Sequence, residues 1–335
     1  VGSQANDPSM DDPWTSYKRP SIDVGGIVST LLDTRGHELV TVSGDDFGPA
    51  STTNEVSASY GNVALDSPIV SPGCNVTVAH ERMVCWSGVG VGANHQWVVE
   101  VGGLLSHRSV NTTSYIAPTL LAVWPSVNLD TRGGERITLE GTQLGPASSD
   151  NRVFALSFNS NLTGLASGPL YASNCSVVIS HTKIYCSSSP GVGTLHHWIV
   201  IVGEQQSVAS NGTTSYHAPL IDISWPADDY QQLRAKGSDY VDIHGRYFGP
   251  ANQSNIVEAY FRNNALVGLA GERFHAINCS TSSDLLIRCV TPPGVGYNHH
   301  WQVFVGFQFS NVSSGVTSYG LPVITNLPLK FIVQG

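Results

Sequence analysis

The chain has 335 residues, a formal net charge of -9 and only 12% charged residues, about half the usual share. Lysine occurs at four positions alone, Lys18, Lys183, Lys236 and Lys330, so the clustered cations that hold a nucleic-acid backbone are missing. With 41% hydrophobic residues the chain has material for real cores, which argues against disorder, and no apolar run is long enough for a membrane-spanning helix.

Residue 1 is Val and no leader is visible, so the numbering reads as starting within a larger or processed product. The first segment ends in Thr15-Ser16-Tyr17-Lys18-Arg19-Pro20. The same Thr-Ser-Tyr-x-x-Pro signature closes three later stretches, at Thr113–Pro118, Thr214–Pro219 and Thr317–Pro322. Residues 1–22 therefore read as the terminal strand or linker of a partial repeat. Three whole repeats follow, over 23–118, 119–219 and 220–322, and 323–335 takes the place of a further opening strand.

Within each repeat the landmarks come in fixed order. Val40 and Val42, Ile137 and Leu139, and Val241 and Ile243 alternate with polar residues, which predicts half-buried strands. A turn follows, with Phe47, Leu144 or Phe248 three residues after a Gly and just before Gly-Pro-Ala. Then come cysteine pairs Cys74/Cys85, Cys175/Cys186 and Cys279/Cys289, a glycine-rich turn (Gly90-Val91-Gly92, Pro190-Gly191-Val192-Gly193, Pro293-Gly294-Val295-Gly296), and Trp97, Trp198 and Trp301 at spacings of 101 and 103. The Trp begins a further alternating strand, and no helical stripe appears anywhere. Units of about 100 residues with some seven short strands fit an immunoglobulin-like sandwich.

Each cysteine pair brackets a hairpin. The third pair is separated by 10 residues rather than 11, so its turn is expected to differ by one residue. Identical placement in three copies without a C-x-x-C motif favours disulfides over thiol or metal pairs. Taken together, the Gly-x-x-Phe-Gly-Pro turn, the Cys-x-x-x-Pro-Gly-Val-Gly stretch, the Trp-x-Val-x-Val-Gly strand and the terminal Thr-Ser-Tyr-x-x-Pro resemble IPT/TIG domains, early-set immunoglobulin-like modules of plexins, growth-factor-type receptors and many protist and algal surface proteins. The resemblance covers residues 23–322 and implies an all-β chain of three tandem sandwiches in an extended rod. The first copy departs from it, with Val89 in place of Pro190 and Pro293 and fewer residues between Phe47 and Cys74, which predicts a shorter mid-domain loop there.

Asn-x-Ser/Thr sequons stand at Asn75, Asn111, Asn161, Asn174, Asn211, Asn252, Asn278 and Asn311. Paired cysteines and sequons together place the chain in the secretory pathway, at the cell surface or outside the cell. Nucleophile elbows, Walker loops and zinc-protease motifs are absent from the sequence, so we expect no catalytic residue, no metal, no cofactor beyond covalent glycans and no enzyme activity. His95, His196 and His299 each precede the Trp by two residues, with His197 and His300 beside two of them. Adjacent residues on a strand face opposite ways, so a structural bond to loop backbone is the better reading than metal chelation.

Contacts between repeats or subunits are expected at Trp124 and Trp225, just past the junctions, and at the outward Ile199 and Ile201. Short proline-bearing junctions limit hinge freedom. The leading functional reading is a non-enzymatic structural glycoprotein that associates with copies of itself into a fibril or surface appendage through its partial end repeats, as in strand addition. The alternatives are an ectodomain segment of a receptor or adhesin, and a carbohydrate-binding accessory module. No nucleic acid and no membrane span in this segment belong to any of them.

Overall fold

A computed structural model describes residues 17–28, 31–50, 55–62, 68–148, 152–159, 168–222, 232–251, 257–263, 265 and 273–324. All of its regular structure is β. The first repeat contains Ser21–Val28 (β1), Leu39–Asp45 (β2), Val56–Gly61 (β3), Ile69–Val70 (β4), Cys74–Val78 (β5), Arg82–Trp86 (β6), His95–Val101 (β7), Leu104–Leu105 (β8) and Thr112–Thr113 (β9). One sheet runs β1-β2-β6-β5; the other runs β4-β3-β7-β8, with β9 also paired to β7.

The second repeat reproduces this plan with Thr119–Trp124 (β10), Arg136–Thr142 (β11), Val153–Asn159 (β12), Leu170–Tyr171 (β13), Ser173–Ile179 (β14), Lys183–Ser187 (β15), His196–Val202 (β16), Gln205–Gln206 (β17) and Thr213–Thr214 (β18). The third has Leu220–Ile221 (β19), Gln232–Leu233 (β20), Tyr240–Arg246 (β21), Val257–Arg262 (β22), Phe274–His275 (β23), Ile277–Ser283 (β24), Leu286–Val290 (β25), His299–Val305 (β26), Gln308–Phe309 (β27) and Val316–Tyr319 (β28). In all three the chain crosses between sheets early. Leu32 bridges Tyr115 and Leu129 bridges Tyr216 in parallel, and β20 runs parallel to β28.

Each sandwich has its own core, built from the inward positions of both sheets. At its centre stands the Trp, 0% exposed at Trp97. Its indole Nε1 donates to Thr113, Thr214 or Thr317 Oγ1 at 2.9–3.0 Å. The threonine lies two residues before the buried Tyr115, Tyr216 or Tyr319, which explains the recurring Thr-Ser-Tyr. A buried indole N–H left unpaired would cost about 1–3 kcal/mol.

The three disulfides, Cys74–Cys85, Cys175–Cys186 and Cys279–Cys289, are formed, each across its hairpin with Cα atoms 4.1 Å apart. The two halves of each bridge differ in environment. Cys74, Cys175 and Cys279 are half-buried at the rim of the core. Cys85, Cys186 and Cys289 are buried, because they take inward positions on β6, β15 and β25, opposite the core residues Val40, Ile137 and Val241.

The turns at His80 and His181 hold those histidines at φ 65° and 67°. The third hairpin turns through Asp284 and Leu285 with one residue fewer and needs no left-handed residue there. The mid-domain segments that would test the shorter first-copy loop, 63–67, 160–167 and 266–272, lie largely outside the described residues, as do residues 1–16 and 325–335. The described remainders, Tyr17–Pro20 and Val323–Ile324, form no strand.

Candidate functional site at the inter-repeat joints

The glycine-rich turn does more than reverse the chain. Its first glycine, Gly90, Gly191 or Gly294, lies against the buried tyrosine ring, where a Cβ would stand 2.5–2.9 Å from ring atoms. Its last glycine takes φ of 103–105°, which an L side chain resists. Between them one valine is pushed out of its own repeat. Val91 joins the core of the second repeat, and Val192 packs on the core of the third.

Each valine lands on a glycine. A Cβ on Gly203 would meet Val91 Cγ2 at 2.7 Å, and a Cβ on Gly306 would meet Val192 Cγ2 at 2.8 Å. The rest of each joint is polar. Gln205 Nε2 donates to the Tyr115 carbonyl at 2.8 Å, and Gln308 Nε2 to the Tyr216 carbonyl at 3.2 Å. Thr34 donates its backbone N–H to Gln143 Oε1 at 2.9 Å and shares its hydroxyl between Gln143 and His181 Nδ1, while Gln143 Nε2 donates to Asp33. At the second joint Thr131 donates its hydroxyl to Asp284. His217 and Tyr247 stack there at 4.3 Å.

The histidines before the Trp anchor this turn. Nε2 of His95, His196 and His299 bonds the carbonyl of Val91, Val192 and Val295 at 3.0–3.1 Å. A carbonyl only accepts, so Nε2 carries the proton. The opposite Nδ1 is buried with no hydrogen-bond partner among the described residues. Burial pulls all three imidazoles below their ordinary value of 6.5, and pulls His181 down as well, with Arg35 of the neighbouring repeat adding to it. Burial also pushes the Tyr319 phenol up to about 12. Among the described residues no group of three His, Cys, Asp or Glu side chains is arranged to hold a metal.

Of the expected contact residues, the three that are described lie away from the inter-repeat joints. Trp124 is 55% exposed and pairs with Thr138, several residues along β10 from the joint at Thr119↔Thr142, so it sits on the flank of the second repeat and makes no wedge. Trp225 lies outside the described residues. Ile199 and Ile201 are half-buried on the outer face of β16, beside Leu156 and Phe154 across the sheet, and neither lies at a joint. The cysteine pairs stand as expected, each bridged within its own repeat. Cys85 and Cys289 are fully buried in the cores of the first and third repeats, so they serve the fold and present no surface to a ligand or partner. The residues that do join repeats went unrecognised because Val91 and Gly203, or Thr34 and Gln143, stand over 100 positions apart. An apolar residue inside a glycine turn in every copy was the available signal.

Of the sequons, Asn75, Asn111, Asn174, Asn211, Asn278 and Asn311 are exposed; Asn161 and Asn252 lie outside the described residues. Asn111 and Asn311 also accept a hydrogen bond from the first strand, from Gly25 and Ile221. No described helix is long and apolar enough to cross a membrane.

No protein-family model matches the chain, and no curated protein does. Several solved structures are similar to it at low identity. The plexin A4 extracellular region aligns at 11% identity over 90% of this chain and 34% of that one, TM-score 0.26. The FN1-FN3 domains of chicken CNTN1 align at 12% over 90% and 98%, TM-score 0.24. Invasin, a bacterial integrin-binding protein, aligns at 15% over 83% and 56%, TM-score 0.23. The chain thus spans about a third of the plexin region and just over half of invasin.

Proposed function

We propose that this chain is a non-enzymatic extracellular structural glycoprotein: a stiff rod of IPT/TIG-type repeats that associates with copies of itself into a fibril or surface appendage. The observation that carries the reading is the joint. The same valine-on-glycine contact recurs at both junctions, reinforced each time by a glutamine-to-carbonyl bond. A spacer with free hinges has no use for such fixed coupling, whereas a load-bearing or length-defining element does.

Three disulfides support an oxidising compartment. Six of the eight sequon asparagines are exposed. Together they support N-glycosylation and secretion. The test is direct: purify the secreted chain and follow its mass by light scattering and its shape by negative-stain electron microscopy as concentration rises. Fibres or end-to-end oligomers with bound N-glycans are expected. A monodisperse monomer at every concentration overturns the assembly reading.

One observation favours the second reading, a receptor or adhesin segment. The third repeat gathers an aromatic and cationic face in which the Arg273 guanidinium lies 3.7 Å over the Tyr260 ring and Phe304 packs on Phe309. A monomeric chain that bound a ligand through this face would support that reading.

A further inference from the structure

The two internal joints define a rule, and the first and third repeats each present one half of it that no described residue fills. In the third repeat the turn valine is Val295. Its backbone carbonyl is held by His299 as in the other repeats, yet its side chain is 48% exposed. In the first repeat the glycine seat is Gly102, at the place of Gly203 and Gly306, and a Cβ there would meet nothing within 4 Å. One knob and one seat of the same shape thus face outward at opposite ends.

The charges beside them are complementary. Around the turn that reaches the next repeat, repeats 1 and 2 carry Asp33, Arg35 and Glu38, and Asp130, Arg132 and Glu135: two acids and one base each. The third carries Arg234, Lys236 and Asp239, two bases and one acid, with Ala235 where Thr34 and Thr131 stand. On the receiving side, Gln143 and Tyr247 are replaced by Asp46, and Thr182 and Leu285 by Glu81, with Asp45 adjoining. The polar bonds of the internal joints are thus exchanged for a turn of net basic charge on the third repeat and for the carboxylates Asp45, Asp46 and Glu81 on the first.

We propose that the Val295 end of one chain docks on the Gly102 end of a second copy, valine onto glycine, with Arg234 and Lys236 against Asp46 and Glu81. This rests on the self-assembly reading above and names its contact. The interface is heterologous, so it extends into a filament and does not close as a two-fold dimer. Tyr17–Pro20 lies at the receiving side; Tyr17 is 92% exposed, Pro20 is buried, and Lys18 pairs with Asp46 at 3.0 Å. Docking exchanges that pair for the intermolecular ones. Because the contact is charge-steered, it weakens with salt.

The test uses two variants of the full secreted chain. One, Arg234→Glu with Lys236→Glu, makes both ends acidic. The other, Asp46→Lys with Glu81→Lys, makes both ends basic. Each alone is expected to need at least about tenfold more protein than wild type for half-assembly, since like charges meet at every contact. Mixed in equal amounts they are expected to copolymerise at wild-type concentrations, because every alternating contact again pairs opposite charges. Val295→Asp, whose turn is exposed and leaves all three cores intact, is expected to block growth in any mixture. If wild type forms fibres and the variants do so equally well, this joint is wrong and the fibril reading stands. If the variants fail alone and mixing does not rescue them, the charge pairing is overturned. If wild type stays monomeric, both readings fall.

Discussion

The buried imidazoles are the residues through which acid acts on this molecule. His95, His196 and His299 are each held neutral by burial, below 6.5. The unfolded chain takes up protons on them as pH falls through about 6.5, while the folded chain does not, so stability drops from that point and levels off only below the folded values. Asp33, Asp130 and Asp242 work in another window. Burial opposes the shift at Asp33, but hydrogen bonds from Arg35 and Gln143 prevail; arginine partners lower the other two. Their stabilisation is complete above the ordinary carboxylate range and is lost only in stronger acid. The thermal midpoint is therefore expected to fall between about pH 7.5 and pH 5, and His196→Gln should flatten that slope. A midpoint independent of pH across this range contradicts the assignment. At the first joint, Thr34→Val removes two hydrogen bonds to the neighbouring repeat and is expected to loosen it by about 1 kcal/mol per bond, read as a broader distribution of inter-repeat angles in single-particle images.

At the scale of the element, the glycine turn and the hairpin do different work. The disulfide closes a short loop inside one sandwich, so Cys175→Ser with Cys186→Ser should cost roughly 3 kcal/mol in the second repeat alone, seen as a separate low-temperature transition by calorimetry. The valine turn acts between sandwiches. Val91→Asp places a charge in the second repeat's core region and is expected to uncouple the first two repeats without unfolding the first, raising the spread of maximum dimensions in small-angle scattering. Strands and hairpins were legible from sequence because they are local: alternation at Val40/Val42 or Trp97/Val99, and cysteines 11 apart, are written within a few residues of one another. The joint was not, because Val91 and Gly203 look like ordinary turn residues until folding brings two turns together. Trp124 misled for the complementary reason: an aromatic next to a junction in sequence lies, after several extended residues, on a flank.

For the whole molecule the shortage of charge becomes a statement about solvent. Three separate sandwiches expose far more surface than one globule of equal length, yet charged residues are 12% and the sequence pI is about 5.7. Near that pH a bare polypeptide has no net charge to keep copies apart. Exposed sequons on all three repeats are sites where N-glycans would add a hydrated layer. The glycosylated chain is expected to remain clear at its isoelectric point, and the same chain after enzymatic removal of N-glycans to become turbid there. Equal turbidity in both samples removes glycans from the explanation.

A valine-on-glycine contact repeated at each junction approximates a screw operation, a rotation and an advance applied once per repeat. Anything attached at one site per repeat is then wound along a helical track, and Asn75, Asn174 and Asn278, set beside the first cysteine of each hairpin, mark such a track. Any change at the joint, even of a degree or two, accumulates linearly with repeat number. A substitution at Thr34 or Gly203 would thus alter the pitch of the structure at long range while leaving each sandwich as it was.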